Sequence, residues 1–541
     1  MSKKITLAMM LLLCIISAKA QEQGITGALQ WQYDSDSHAL TITGEGDMPD
    51  YDYGGTPWNA YQEEIQTLSI GDGVTSIGDN AFCNCVALSE FNLPEGVTRI
   101  GNNAFSYCLS FTSVELPSTV RKIDESAFEG CNIASINFPE GLEGIGGFAF
   151  ADCIYLGNVQ FPTTLQYIDR WAFSGCEGLD EVSIPTSVKS IGDNAFANCV
   201  NLSTLELAEG LLSIDDNAFL SCEQLTNVSL PATVTFIGGG IFADCKRLNQ
   251  IDVAAGSTAF CAVDGVLYDK ARTALVQYPA GKDDSSYFLP DGVTSIGDYA
   301  FSGNEHLTNI TLHDKLQSIG SYAFARVSAV SEMSVPASVE LIGESAFHDC
   351  LSLAAINVEE ANPNYKSIDG VLYDKALTTL MQYPEGKTTA DYVAPKTIQS
   401  VPSYAFFNNT HLATVDLPDA LQFIGDFAFG FCSQLSQLTV RVADPSDIQL
   451  GLMSFFRGFS AVDCTLRVPA GSKEKYEQAE TWAEFAPHIE ELTADAVAPV
   501  ATPSVRRQQR VYSANGTLQR GTIGQQHRGV YIVDGKKVVK R

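Results

Sequence analysis

The sequence lacks the residue spacings that mark metal and catalytic sites. No two cysteines have the two-residue gap of a zinc knuckle, and none of the seven histidines pairs with another at helical spacing. The His-Glu-x-x-His motif, the Gly-x-Ser-x-Gly nucleophile elbow and the phosphate loop are also missing. We therefore predict a protein that is not an enzyme and needs no metal or cofactor, with an enzyme of unrecognised type as the remaining alternative.

Basic residues are scarce, and long apolar runs are missing beyond residue 20. The 541 residues include 33 Lys and Arg against 64 Asp and Glu, which gives a formal net charge of −31. Because a chain this acidic repels phosphates and anionic membranes, we expect no nucleic-acid partner. We interpret the acidity as a soluble exported surface, in preference to a site for a specific cationic ligand. No run after residue 20 approaches 18 apolar residues, so the remainder is not expected to span a membrane.

What the sequence does contain is a repeat of 22 or 23 residues, interrupted by two intervals of 59. Its clearest marker is a phenylalanine that usually follows alanine and lies three positions before a cysteine. A period of this length is typical of a solenoid. The marker residues are Phe82, Phe105, Phe128, Phe150, Phe173, Phe196, Phe219, Phe242, Phe301, Phe324, Phe347, Phe406 and Phe429.

Each period has the same apolar positions, which predict its local structure. A first apolar run ends at a proline in most periods, and an Ile-Gly or Ile-Asp pair follows it. We predict two short strands and a tight turn per period. One period is too small to bury a core, so successive periods must stack their strands in parallel about 4.8 Å apart. In one period the apolar residues are Leu88, Phe91, Leu93, Val97, Ile100 and Phe105.

The pattern C-x-x-L-x-x-V-x-L-P-x-x-V-x-x-I-G-x-x-A-F resembles the BspA-type leucine-rich repeats, and the resemblance extends over about residues 25–490. It implies a fold that is a mainly β repeat solenoid, a leucine-rich-repeat array of about 23-residue repeats with capped ends. The resemblance also implies a surface-exposed or secreted protein that is not an enzyme and takes part in adhesion to proteins or cells.

Both ends of the chain depart from the repeat. Lys3 and Lys4, an apolar stretch and a small-residue end at Ala20 are typical of a secretory signal. Cys14 makes a lipoprotein signal an alternative, but the preceding residue, Leu13, disfavours it. We predict a signal peptide at 1–20, an N-terminal β cap at 21–64, the repeat solenoid at 65–436, a C-terminal cap at 437–492, a linker at 493–510 and a basic tail at 511–541.

Two near-copies of one insertion account for the two long intervals. Each copy contains the sequence DGVLYDKA and is followed by Gln-Tyr-Pro and Gly-Lys. We predict a β-hairpin in each copy, at about residues 256–282 and 361–387.

The residues after 436 predict a different kind of structure. Residues 464–492 predict a strand, a turn and a helix that buries Tyr476, Trp482 and Phe485. The tail has short apolar runs, and residues 505–541 hold nine basic residues against one acidic residue. The tail resembles a type IX secretion sorting signal, which implies export across an outer membrane and exchange for a surface anchor. The alternative is a small basic strand pair with another attachment role.

Cysteines follow the repeat as well. Ten of the fourteen occupy the same position in successive periods, so stacking separates them by about 4.8 Å, whereas the Cβ atoms of a disulfide lie about 3.8 Å apart. We expect buried free thiols that fill space in the core, and we leave the state of Cys83, Cys261 and Cys464 open. The ten are Cys85, Cys108, Cys131, Cys153, Cys176, Cys199, Cys222, Cys245, Cys350 and Cys432.

Aromatic residues stand at repeat positions outside the core pattern. Six come directly before the Ala-Phe marker, in three pairs, and three come directly before the repeated isoleucine. In register they predict short aromatic ladders on the solenoid surface, a platform for protein or sugar. The alternative is that the rings stack on each other and stabilise the array. The six are Phe148, Trp171, Tyr299, Tyr322, Tyr404 and Phe427, and the three are Tyr167, Phe236 and Phe423.

The function predicted by these features is an exported, cell-surface or secreted protein that binds macromolecules through the solenoid surface. Its partners are expected to be proteins or glycans, including host-derived ones, held by many weak contacts. The alternatives are a glycan-binding protein that uses the aromatic ladders and an architectural envelope protein without a specific ligand.

Overall fold

The computed structural model describes residues 22–451, 453–454, 463–486 and 488–493, together with the backbone of four strands between residues 511 and 540. The predicted signal peptide and nearly all of the predicted linker lie outside the described residues. The chain forms two units, Met1–Glu490 and Glu491–Arg541.

The first unit is the predicted β solenoid, in which most turns contribute two short strands. First strands of neighbouring turns pair in parallel, mostly two by two, as Glu181–Ile184 does with Thr204–Leu207. These first strands are Thr67–Ile70, Glu90–Asn92, Ser113–Glu115, Ser135–Asn137, Glu181–Ile184, Thr204–Leu207, Asn227–Leu230, Gln250–Val253, Ser286–Phe288, Asn309–Thr311, Glu332–Val335, Ala355–Val358, Asp391–Val393, Thr414–Leu417, Gln437–Val440 and Thr465–Val468.

The second strands form another set of parallel sheets. Their isoleucines pair in register, as Ile191 does with Ile214. These second strands are Gly46–Asp47, Val74–Ile77, Arg99–Ile100, Lys122–Ile123, Gly144–Ile145, Tyr167–Ile168, Ser190–Ile191, Ser213–Ile214, Phe236–Ile237, Ser295–Ile296, Ser318–Ile319, Leu341–Ile342, Ser400–Val401, Phe423–Ile424 and Gln449–Leu450.

A third side of each turn carries the Ala-Phe marker and contains two residues in the left-handed backbone conformation. In one turn these are Asn194, with φ of 55°, and Asn198, with φ of 60°. Hydrogen bonds link this side to the next turn: the backbone N–H of Phe196 donates to the carbonyl of Ala218 at 2.8 Å. Because Gly, Asn and Asp adopt the left-handed conformation at the lowest energetic cost, most turns carry small or polar residues at these positions. We call this side of the solenoid the turn face.

Stacked phenylalanines and cysteines fill the interior. Phe105 and Phe128 lie 5.4 Å apart between ring centroids with an interplanar angle of 4°. The thiol of Cys131 donates to the carbonyl of Phe105 at 3.0 Å, and this bond recurs along the array. All thirteen cysteines of the described residues are free thiols, as expected for the ten in register; Cys464 is buried, whereas Cys83 and Cys261 are partly exposed.

Each insertion forms an antiparallel β-hairpin, as predicted, with one strand more than we expected. The strands are Phe260–Val263, Val266–Asp269 and Ala274–Gln277 in the first insertion, and Tyr365–Ile368, Val371–Asp374 and Leu380–Gln382 in the second.

The end of each insertion continues the phenylalanine ladder. Tyr278 stacks on Phe301 at 5.2 Å, and Tyr383 faces Phe406 at 5.3 Å. The core divides at the insertions into three clusters.

Other elements cover both ends of the array. The strands Glu22–Thr26, Leu29–Asp34 and Ala39–Gly44 are antiparallel, and the last one pairs in parallel with Thr67–Ile70. The buried Trp58 stacks on Phe82 at 5.7 Å. At the other end, Tyr476, Trp482 and Phe485 are buried, as predicted. The short helices among the described residues are the 3-10 helices Asn59–Tyr61, Pro445–Asp447 and Trp482–Phe485 and the α-helix Lys473–Gln478.

The second unit contains one antiparallel sheet. Its strands are Val511–Ser513, Leu518–Gln519, Gly529–Val533 and Lys536–Lys540, in the spatial order second, first, third, fourth. The tail thus forms more than the strand pair considered as an alternative.

Within the described residues, no helix is long and apolar enough to cross a membrane.

Candidate binding surface

Six of the nine predicted site residues lie at the first left-handed position of the turn face. Their φ values lie between 49° and 61°. Other turns place Asn80, Asn103 or Ser126 at this position. A bulky side chain in the left-handed region costs roughly 1–2 kcal/mol. An aromatic residue at this position is therefore less favourable for the backbone than asparagine is. The six are Phe148, Trp171, Tyr299, Tyr322, Tyr404 and Phe427.

The six rings form the three stacked pairs that the sequence predicts. Phe148 and Trp171 have ring centroids 5.8 Å apart and an interplanar angle of 2°. Tyr299 and Tyr322 lie 4.9 Å apart at 6°. The third pair, Tyr404 and Phe427, has a separation of 5.7 Å and an angle of 19°. All six side chains are half-buried, so each ring keeps part of its area open to solvent.

The second and third pairs join into one longer surface through His348. Its ring lies 5.8 Å from Tyr322 and 4.7 Å from Tyr404. Phe407 packs against both His348 and Tyr404, and it also contacts the exposed Phe431. The surface therefore passes across the second insertion without a break. We call it the aromatic stripe, made of Tyr299, Tyr322, His348, Tyr404, Phe407, Phe427 and Phe431.

Sequence reasoning missed three members of the stripe. His348 and Phe407 directly follow the marker phenylalanines Phe347 and Phe406, and Phe431 follows Phe429 by two positions. Most other turns place small residues directly after the marker. These three residues can be found from the sequence by comparing the periods at the first and second positions after the marker, as well as at the position before it.

His348 is neutral in the folded protein. Its Nδ1 atom is buried and has no hydrogen-bond partner among the described residues. Burial lowers the pKa of the imidazole to about 4, because a charged ring is poorly solvated there. Burial also raises the pKa of Tyr299 to about 12. The centre of the stripe is thus an uncharged surface of rings near neutral pH.

A cavity of about 390 Å³ lies where one turn of the stripe has no aromatic residue. Ser345 takes the position between Tyr322 and Tyr404 and lines this cavity. The cavity extends to Tyr365 and Met381 of the second insertion. The hairpin therefore opens a recess beside the stripe.

Acidic residues border the stripe. Asp298 and Glu344 are exposed, and Asp426 is half-buried. Each of them directly precedes a left-handed residue of the turn face. The stripe is thus an aromatic centre with an acidic border, beside which Arg326 pairs with Asp244 and Asp349.

The other three predicted site residues are not brought together. Tyr167 and Phe236 lie on second strands, and Ser190 and Ser213 separate them in the sheet. Phe423 pairs with Ser400 and Gln449 instead of another aromatic residue. The position before the isoleucine therefore forms no ladder, because its aromatic residues are not in neighbouring turns.

Among the described residues, the possible metal ligands form no cluster and the core thiols are buried. The described residues include no group of three or more His, Cys, Asp or Glu side chains placed to hold a metal ion. Burial also raises the pKa values of the core thiols, Cys199 among them to about 12, which makes them poor nucleophiles. What the turn face offers is contact area.

Comparison with known proteins identifies the repeat. The family model described as the BspA type Leucine rich repeat region (6 copies) matches residues 60–176, 143–262, 283–381 and 383–459, more than half of the chain. No curated protein matches the chain.

Solved structures include similar repeat proteins. A leucine-rich repeat protein from Eubacterium ventriosum is 23% identical, with a TM-score of 0.39, over 82% of this chain and 95% of that one. The pneumococcal vaccine antigen PcpA is 19% identical, with a TM-score of 0.42, over 88% and 99%. A leucine rich cell surface protein from Faecalibacterium prausnitzii is 23% identical, with a TM-score of 0.36, over 85% and 98%. From the family match and the repeated turns, this chain belongs to the BspA-type leucine-rich repeat family.

Proposed function

We propose that this chain is an exported protein, displayed at the cell surface or secreted, that binds other proteins through the aromatic stripe. The observation that carries the proposal is a continuous run of half-buried rings across several turns, at positions where asparagine strains the backbone less. Export is supported by the N-terminal sequence and by the basic tail, which we propose directs secretion and surface anchoring.

Energetics favour a binding role over a purely stabilising one. Stacking is worth about 0.5–1.5 kcal/mol per aromatic pair beyond the area it buries. Two bulky left-handed residues cost roughly 1–2 kcal/mol each. Partial burial, worth about 2.5 kcal/mol per ring, exceeds the difference, but the exposed half of each ring contributes nothing to stability. The half-exposed rings of Tyr322 and Tyr404 are then best explained by contacts with a partner, because aromatic residues contribute most to protein interfaces.

The border of the stripe indicates the kind of partner. Asp298, Glu344 and Asp426 border the aromatic rings. Arg326 beside them is paired with Asp244 and Asp349, and the chain as a whole is acidic. Interfaces favour opposite charges at their rims and apolar contacts at their centres. We therefore infer a protein partner with an apolar patch bordered by Lys and Arg. Such binding weakens as salt is added, because exposed charges are screened.

A capture experiment tests the binding site. The chain without its signal peptide is immobilised, exposed to a mixture of secreted and cell-surface proteins, and the retained proteins are measured by quantitative mass spectrometry. The double variant Tyr322→Asn with Tyr404→Asn should lose the proteins that the wild type retains. The matched control, Tyr155→Asn with Phe288→Asn, removes two exposed rings elsewhere and should retain them. Equal retention by all three forms contradicts the proposal.

Surface display has its own test. Protease treatment of intact cells should release peptides from the repeats while a periplasmic control protein stays intact. Repeats that resist protease until the outer membrane is broken contradict display and favour an architectural role. Binding of polysaccharides that quenches Trp171, the one partly exposed tryptophan among the described residues, favours the glycan-binding alternative.

A further inference from the structure

A second recess lies on the turn face near the N-terminus, in the first turns of the array and away from the aromatic stripe. It has a volume of about 440 Å³, within the range of about 300–1,000 Å³ for small-ligand pockets. Two tyrosines stand in its lining: Tyr53, which is 76% exposed, and Tyr107, which is 44% exposed. Rings this exposed contribute little to the core, so their apolar faces are open to a ligand.

Side-chain amides line the recess between the two rings. Asn80 and Asn103 occupy the first left-handed position of neighbouring turns, and Asn84 occupies the second. An asparagine side chain offers both a hydrogen-bond acceptor and two donors. Stacking of the turns thus places three amides side by side in one small recess.

Hydrogen bonds hold the lining in place. The Asn80 amide donates to the carbonyl of Tyr51 at 2.7 Å, and the Asn84 amide donates to the hydroxyl of Tyr53 at 3.0 Å. On the far side, the Tyr107 hydroxyl donates to a carboxylate oxygen of Glu129 at 3.2 Å. These contacts leave the carbonyl oxygens of both amides and one oxygen of Glu129 able to accept further hydrogen bonds.

The backbone conformation of Tyr107 argues against a purely structural role for its side chain. Tyr107 has φ of 57° at the second left-handed position, where other turns place Asn84, Asn198 or Asn408. Its ring lies over Gly130 of the next turn, where the absence of a side chain leaves room for it. A left-handed tyrosine over a glycine is more strained than asparagine at the same position.

We propose that this recess binds a neutral saccharide. The C–H faces of a pyranose ring pack on exposed aromatic rings, and its neighbouring hydroxyls pair with amide and carboxylate groups. None of the described residues that line the recess is basic, and Glu129 repels anions, so acidic sugars and phosphates are disfavoured. Cys83 also lines the recess, and burial raises its thiol pKa to about 11, so it adds no charge near neutral pH.

Two substitutions test the site in the chain without its signal peptide. Tyr53→Ala removes the more exposed ring, and Tyr107→Asn installs the residue that equivalent positions already use. Tyr155→Ala, which removes another exposed ring outside the recess, is the matched control. The probes are neutral hexasaccharides of α- and β-linked glucose, mannose and xylose, with sialyllactose as the acidic comparison. Binding is measured by saturation-transfer NMR and calorimetry.

The expected result is binding of at least one neutral hexasaccharide, with no binding of sialyllactose. Each recess variant should bind at least about tenfold more weakly, with unchanged circular dichroism. The control and the stripe variant, Tyr322→Asn with Tyr404→Asn, should bind as the wild type does. Failure of every neutral probe overturns the inference, as does binding that survives in both recess variants. Neither outcome affects the proposed protein binding, which depends on the stripe.

Discussion

The replacement of Tyr322 by asparagine separates a binding role of the stripe from a stabilising one. The change removes stacking on Tyr299, worth about 0.5–1.5 kcal/mol. It also exposes about half of a ring area of roughly 200 Å², worth about 2.5 kcal/mol. Against these losses, asparagine relieves roughly 1–2 kcal/mol of left-handed strain and keeps some of the burial. We expect a net loss of stability below about 2 kcal/mol.

The matched core variant in the same turn is Phe324→Ala. Phe324 is fully buried and stacks between Phe301 and Phe347, at 5.2 and 5.5 Å. Loss of a buried phenylalanine leaves a cavity and costs about 3–5 kcal/mol. Urea unfolding followed by circular dichroism measures both variants against the wild type, through the midpoint and slope of each transition. If Tyr322→Asn costs as much stability as Phe324→Ala, the stripe rings stabilise the array as core residues do, which contradicts a binding role.

Two further predictions concern the insertions. Glu385 is buried and accepts the backbone N–H groups of Asp349 and Cys350, and burial raises its pKa from 4.5 to about 8. The stability of the wild type should therefore fall as pH rises from about 4.5 to about 8. Urea midpoints measured across this pH range should change less for Glu385→Gln than for the wild type. An equal pH dependence of the two proteins contradicts the pKa shift. Asn304 takes the cysteine position after the first insertion and hydrogen-bonds three carbonyls and two N–H groups, so Asn304→Cys should cost about 2–4 kcal/mol in the same assay. Val327→Cys, at the same position one turn later, should cost less than about 1 kcal/mol; equal losses contradict the assigned role of the asparagine.

The period of the sequence was enough to predict the turns, because each period repeats one set of buried positions. The spacing of Phe105 and Phe128 predicts neighbouring turns, and their rings stack in the structure. The same reasoning predicted the pairing of Phe148 with Trp171, since both precede the marker in adjacent periods. It did not apply to Tyr167, whose neighbours in the sheet are Gly144 and Ser190.

The contacts at the insertions could not be predicted from the period, since the insertions interrupt it. Tyr278 and Tyr383 stand outside the repeat register, yet they continue the phenylalanine ladder. The period also does not indicate why Asn304 and Asn409 replace cysteine. In the structure their amides bind the carbonyls at the end of each hairpin, which a thiol cannot do.

The sequence by itself determined the solenoid, the two short strands of most turns, the buried free thiols in register and the three aromatic pairs, because one buried pattern repeated at a fixed interval admits one way of stacking. The tertiary structure alone decided that the aromatic rings lie in left-handed backbone, that His348 joins two pairs into one stripe, and that Tyr53 and Tyr107 enclose a recess. These features depend on backbone angles and on contacts between residues that are about 20 to 60 positions apart. The repeat pattern specifies neither the angles nor these contacts.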